Sequence, residues 1–319
     1  MNGRRGKRKW LSVAVLCWLA SAAIAQTEVK LLANWKKGEK RQLELVQTRE
    51  RTRGNEVVSR MKLRTQVELE VLDASSKGFL VRWSYPDTKV EEATSPRIPN
   101  VEDLLSSLKG YKVEVETDAA GEFAGVRNWQ ELKAAAATMV DTALNATPTL
   151  DANMKNAVRQ QMLSLFGTQQ QIENAFVREI RLYHLVLGGS FTVGKRVTYR
   201  DLLPNPFGGE PFPSTGSFLL KEYDAASGRA VVEWKSTLDP QPTRRILLKT
   251  FTDLAKRLGA PSPKDSDLPL FNIEDTAEVV VDTKTGWVKS LNHRRMTSTT
   301  QAGQAVRDVR TLAMTDKTP

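Results

Sequence analysis

The stretch Met61-Lys62-Leu63-Arg64-Thr65-Gln66-Val67-Glu68-Leu69-Glu70-Val71 decides the fold, because apolar or threonine side chains alternate along it with charged or amide ones. A period of two over that length gives a β-strand with one buried face and one wet face. Upstream, Leu43 and Leu45 open a partner strand that ends near Arg53, and Gly54-Asn55 supplies the reversal. A two-residue turn would set Leu45 opposite Arg64, apolar against charged. A three-residue loop that sets Leu43 against Val67 is therefore expected. Glu50 then faces Arg60, and Arg49, Arg51, Arg53, Arg60, Lys62 and Arg64 read as a solvated, partly paired strand surface rather than a binding patch.

Downstream, a turn at Asp73 to Gly78 leads to a strand that places Phe79, Val81, Trp83 and Tyr85 on one face. A short helix fits Val101 to Leu108, capped by Asn100 and stopped by Gly110. Tyr111 to Thr117 and Phe123 to Val126 return as strands around Gly121. From Asn128 to about Leu187 the period becomes helical. Asn128 with Glu131, Pro148-Thr149, and Thr168 with Gln171 each open a helix, and Ile172, Phe176, Ile180 and Tyr183 form one apolar stripe expected to be core.

Strands resume after Gly188-Gly189, and this second stretch echoes the first. Asp73-Ala74-Ser75-Ser76 precedes Trp83 as Asp224-Ala225-Ala226-Ser227 precedes Trp234. Phe251, Leu254, Ala255 and Leu258 form a helix ended by Gly259, and a final strand is expected from Ala305 to Met314. The expected fold is α+β. Two similar halves, each strand-strand-strand-helix-strand-strand and related by tandem duplication, build two antiparallel sheets or one continuous sheet, with a central helical insert. The segments are 1–25 (signal peptide), 26–127 (first β-rich half), 128–187 (helical insert) and 188–319 (second β-rich half).

The N-terminus sets the compartment. Arg4, Arg5, Lys7, Arg8 and Lys9 precede an apolar run from Trp10 to Ala20, and Ala23-Ile24-Ala25 offers a small-x-small cleavage site, so the mature chain is expected to begin at Gln26 in the periplasm or beyond. Cleavage lowers the net charge from +10 to +5, a mild basic balance, and leaves no segment suited to span a bilayer; export makes nucleic acid a poor partner. Leu16 before Cys17 argues against a lipidation site. Cys17 is the only cysteine, so a mature chain has no disulfide, zinc-thiolate site or cysteine nucleophile.

Catalytic chemistry is thinly supplied, and no cofactor is implied. His184 and His293 are the only histidines. His184 falls at a helix end, where a structural role is expected, and His293 precedes Arg294 and Arg295, which disfavour its protonated form. No metalloprotease, nucleophile-elbow, phosphate-loop or dinucleotide motif occurs. Asp265 and Asp267, around Ser266, read as a solvated linker rather than a calcium site. For binding, Trp83, Tyr199 and Trp234 are the candidate lining of an apolar concavity, although aromatics in such strands more often fill the core.

The strands after Lys37-Gly38, the helical centre, the restart at Val193-Gly194 and the late Val281-Asp282-Thr283-Lys284-Thr285-Gly286 resemble a family of bacterial exported β-rich proteins and lipoproteins without assigned activity. At the level of architecture the pattern is similar to the half-barrels of periplasmic lipoprotein carriers. The expectation is a non-catalytic envelope protein that binds an apolar ligand or a protein partner. A hydrolase of an envelope polymer using paired carboxylates, and a structural or adhesive protein, are the alternatives. The sequence sets no oligomeric state.

Overall fold

The structure, a computed structural model, describes residues 28–94, 110–145, 151–205, 209–257, 259–301 and 303–319, with Phe207. The signal peptide with Cys17, the Val101–Leu108 helix, and the Pro148-Thr149 helix start lie outside the described residues.

The strands are β1 (Glu28–Lys30), β2 (Lys40–Arg53), β3 (Glu56–Ser75), β4 (Gly78–Thr94), β5 (Lys112–Thr117) and β6 (Phe123–Val126), then β7 (Ser190–Thr192), β8 (Arg196–Leu203), β9 (Phe212–Asp224), β10 (Arg229–Leu238), β11 (Phe271–Asp282), β12 (Val288–Gln301) and β13 (Gln304–Asp316). β1 and β7 pair with each other. The other strands form one antiparallel sheet of 11 strands in the order β6-β5-β4-β3-β2-β13-β12-β11-β10-β9-β8. The choice between two sheets and one is thus settled by the last strand: β13 pairs with both β12 and β2 and joins the halves. Both halves cross the sheet in the same sense. The helix that would match α5 in the first half lies outside the described residues, so the duplication stays an expectation from sequence.

Leu43 pairs with Val67 and Glu50 with Arg60, as the alternation requires. The means differs from the expected three-residue loop. Arg53 pairs with Glu56 across the two-residue turn Gly54-Asn55, and the register shifts at once, with Thr52 opposite Val57 but Arg51 opposite Ser59. Val58 is the extra residue of a β-bulge, which corrects the facing that the tight turn alone would give. The bulge also separates the six basic residues. Arg60, Lys62 and Arg64 lie on the outer face and pair with Glu50, Glu91 and Glu44, whereas Arg49 lies on the same face as buried Leu43 and Leu45.

The helices are α1 (Trp129–Asn145), α2 (Ala152–Ser164), α3 (Gln169–Phe176), α4 (Arg178–Tyr183) and α5 (Pro240–Arg257). Asn128 does bond Glu131, at 3.2 Å, but its amide also accepts from Glu114 N and donates to Lys112 O, so it ties α1 to β5. Asp151 caps α2, and Thr168 with Gln171 forms the expected capping box of α3. The single long helix expected after Thr168 is broken at Val177, whose φ −122°, ψ 20° is not helical. The apolar stripe runs through the break, with Ile172, Ile180 and Tyr183 fully buried. α5 begins well before its expected start, with Pro240 at its first position, where a missing N–H costs no helical bond. Among the described residues no helix is long and apolar enough to cross a membrane.

The core lies between the inner face of the sheet and this helical layer. Leu43, Leu69, Val81, Val115, Leu220, Val232, Val279 and Leu291 face Leu132, Ile172, Ile180 and Val186 in one buried cluster. Each such side chain contributes about 1.5–3 kcal/mol on burial. Residues 31–35 strap one end of the molecule: Leu31 N donates to Gly189 O, Ala33 N to Ala120 O and Asn34 N to Thr285 O. Trp35 stacks on Trp287 beneath the strap, with centroids 4.6 Å apart.

Candidate functional site

The inner face changes character partway along its central strands. Leu43 and Leu45 are followed in the same alternation by Gln47, Arg49 and Arg51, and Met314 and Leu312 by Arg310 and Asp308. The pairings then set one transverse row across neighbouring strands: Asp275 opposite Arg295, Arg295 opposite Arg310, Arg310 opposite Arg49, and Arg49 opposite Met61. Three arginines thus stand side by side on one face. Like charges directly opposite are destabilising, so the row requires compensation.

Two carboxylates supply part of it. Asp275, with a side chain only 1% exposed, accepts from Arg295 Nε at 2.8 Å, Arg295 Nη2 at 2.7 Å and His293 Nε2 at 2.8 Å. Burial alone would raise its pKa, but the bonds from His293 and Arg295 override burial and hold the carboxyl below the usual range. Asp308 accepts from Arg49 Nε at 3.0 Å and Arg310 Nε at 3.2 Å; again burial opposes ionisation, and the two arginines win. His293 is pushed below its ordinary pKa, first by burial and also by Arg178 and Arg295, against the pull of Asp275. The neutral imidazole therefore carries its proton on Nε2, toward Asp275. The disfavouring cation of its own strand is Arg295; Arg294 lies on the outer face with Asn292.

α4 lies over this row, packed against β12. Gln47 Nε2 donates to Glu179 Oε1 at 2.8 Å and fixes the helix to β2. Between α4 and the strands is a recess of about 230 Å³ whose lining includes Leu63, Leu182 and Leu312 together with Arg49, Arg178 and Arg310. Arg178, the first residue of α4, forms no ion pair or hydrogen bond with the described residues. Burial is the main cause that lowers its pKa, and nearby Arg295 and Arg310 add to it, against the pull of Asp275 and Glu179. A larger cleft of about 610 Å³ lies at the β8 corner beneath α5. There Arg200, Arg245 and Lys249 are matched by Asp201, Glu210 and Asp239, which leaves no local excess of either charge.

The aromatics named from sequence divide. Trp83 is fully enclosed, edge-on to Tyr183 at 5.2 Å, and lines the core rather than any recess. Trp234 and Tyr199 are brought together: Trp234 Nε1 donates to the Tyr199 hydroxyl at 2.6 Å, and the indole stacks on His293 at 6.2 Å. Gly216, opposite Tyr199, makes room for the phenol ring, which a Cβ there would approach to 2.3 Å. These two aromatics back the Asp275–His293 pair and lie outside the lining of the recess. His184 caps α4 with Nδ1 bonded to Gly121 O at 2.8 Å, a structural role. Asp265 pairs with Arg244, and Asp267 accepts from Lys264 N, so both acids are engaged locally.

Sequence reasoning missed Asp275, Arg178, Arg295 and Arg310 as a group. The signal was present in Ile273-x-Asp275-x-Ala277-x-Val279, where an acid occupies an inward position of an otherwise apolar alternation. Such a residue has to meet a cation in the fold.

No protein-family model matches the chain, and no curated protein is similar to it in sequence. Among solved structures it is similar to a chain described under "Lipid-protein interactions in lipovitellin", with 9% sequence identity and a TM-score of 0.45. The match covers 89% of this chain and 25% of that one. A likeness of this degree assigns neither fold nor ligand.

Proposed function

We propose that the chain is an exported, non-catalytic binding protein that takes an apolar ligand on the inner face of its sheet, at the recess beneath α4. The observation that carries this reading is the meeting of Leu63, Leu182 and Leu312 at an opening beside a core that the helical insert otherwise seals. Met61 joins these leucines, and the rest of the lining is polar or charged, so the recess offers a small apolar surface beside polar groups that can orient a ligand. Export rests on the basic n-region, the apolar run and Ala23-Ile24-Ala25.

The state of the site's ionisable groups disfavours a paired-carboxylate mechanism there. A carboxylate-pair hydrolase needs one acid held protonated near neutrality. Asp275 and Asp308 are both held ionised by arginines, and His293 has its Nε2 proton committed to Asp275. Native mass spectrometry of the protein purified from the exported fraction of its host tests the reading. The expected spectrum shows a chain beginning at Gln26 that carries an additional apolar mass, released on mild activation. A bare chain under all conditions contradicts ligand binding, and an uncleaved N-terminus contradicts export.

A further inference from the structure

We propose that the arginines around the recess, Arg178 with Arg310 and Arg49, form a binding site for a phosphate-type oxyanion, carried as the headgroup of the amphiphile whose chain meets the leucines. This rests on the ligand reading above and specifies its chemistry.

The charges near the recess do not balance. Four arginines, Arg49, Arg178, Arg295 and Arg310, face three carboxylates, Asp275, Asp308 and Glu179. Asp275 is saturated by Arg295 and His293. Asp308 is shared between two arginines, Arg49 holding it with three bonds and Arg310 with two weaker ones of 3.2 and 3.5 Å. Glu179 is tied to Gln47. Arg178 has no hydrogen bond or contact ion pair among the described residues; partly buried and close to two other guanidinium groups, it is drawn to Asp275 and Glu179 only through space. A partly buried guanidinium whose donors are not taken up by a carboxylate gains from an anion that accepts from them.

The donors arrive from three elements: Arg178 from α4, Arg310 from β13 and Arg49 from β2. Guanidinium groups that reach one recess from three elements suit an anion that presents oxygens in several directions, as a tetrahedral phosphate does and a planar carboxylate does not. Exposure is graded along the row, from 1% at Asp275 through 29% at Arg295 to 44% at Arg310 and 46% at Arg49. The cationic end of the row is therefore the open end. The leucines of the same recess give an attached alkyl chain an apolar surface.

Isothermal titration with matched probes tests the proposal: dodecyl phosphate, dodecanol, dodecanoate and inorganic phosphate, each below its aggregation limit. Dodecyl phosphate is expected to bind at least tenfold more tightly than dodecanol or dodecanoate, and less tightly as salt is raised. Arg178→Gln and Arg310→Gln should each remove most of that advantage and leave dodecanol binding unchanged. Arg294→Gln, an equal loss of charge on the outer face, should change nothing. Equal binding of dodecyl phosphate and dodecanol, unaffected by Arg178→Gln, overturns the oxyanion site and leaves the apolar-ligand reading in place. Inorganic phosphate binding as tightly as the alkyl ester keeps the anion site and overturns the amphiphile. Binding of none of the probes overturns both, and tighter binding of dodecanoate overturns the phosphate assignment.

Discussion

His184 sits at the end of α4 between the edges of Trp35 and Tyr183, and burial brings its pKa down to about 4. Its proton uptake is therefore linked to unfolding. Below about pH 6.5 an unfolded histidine takes up a proton that the folded ring refuses until about pH 4, so the stability this group supplies is whole above that window and lost as pH falls through it. The loss amounts to about 3 kcal/mol. His293, also lowered, adds in the same direction, whereas the depressed carboxylates Asp275, Asp308 and Asp316 lose their contribution only below about pH 3.9. Urea unfolding at pH 7 and pH 4.5 checks this. The native protein should lose stability between the two, and His184→Gln should lose clearly less. Equal losses would mean that His184 takes its proton in the folded state at an ordinary pKa.

At the scale of elements, the turn between β11 and β12 shows why the late Val281-to-Gly286 motif has its form. Asp282 accepts from Lys284 N and the Thr285 hydroxyl, and Gly286 N donates to Asp282 O. Gly286 has φ +75°, and a Cβ there would come within 2.4 Å of Leu32 O and 2.5 Å of Ala33 Cα. Gly54, φ +57°, has nothing within 4 Å of its would-be Cβ. Gly54→Ala is expected to cost about 1–2 kcal/mol, the ordinary left-handed penalty. Gly286→Ala should cost at least about 2 kcal/mol more, since the strap must also move. Thermal or urea unfolding of the two variants gives the comparison, and equal losses would mean that the strap is not held at this turn.

Elements of this kind were legible in unequal degree. The Met61–Val71 alternation fixed which residues are buried and which pair with β2, because facing is a local property of an extended chain. The bulge at Val58 was not legible, since both a loop and a bulge restore the same facing. β13 was foreseen as a strand, but its place at the seam depends on two long-range pairings. The site was less visible still. Tyr199 and Trp234 drew notice by type, and Arg49 by charge, yet the row exists only once β11, β12, β13 and β2 are laid side by side.

At the scale of the whole molecule, the helical insert covers only part of the inner face, and the central strands run on past α4 as a sheet with half-exposed residues on both faces. The border between the covered and uncovered parts is where a sealed apolar core gives way to the arginine row, and the proposed ligand site lies at that border. Hydrogen–deuterium exchange of the mature protein with and without dodecyl phosphate tests this placement most directly. Slowed exchange is expected in α4 and in the neighbouring 47–51 and 308–312 segments, with no change in β8 or α5. Protection confined to the β8–α5 cleft, or none at any segment, would contradict it.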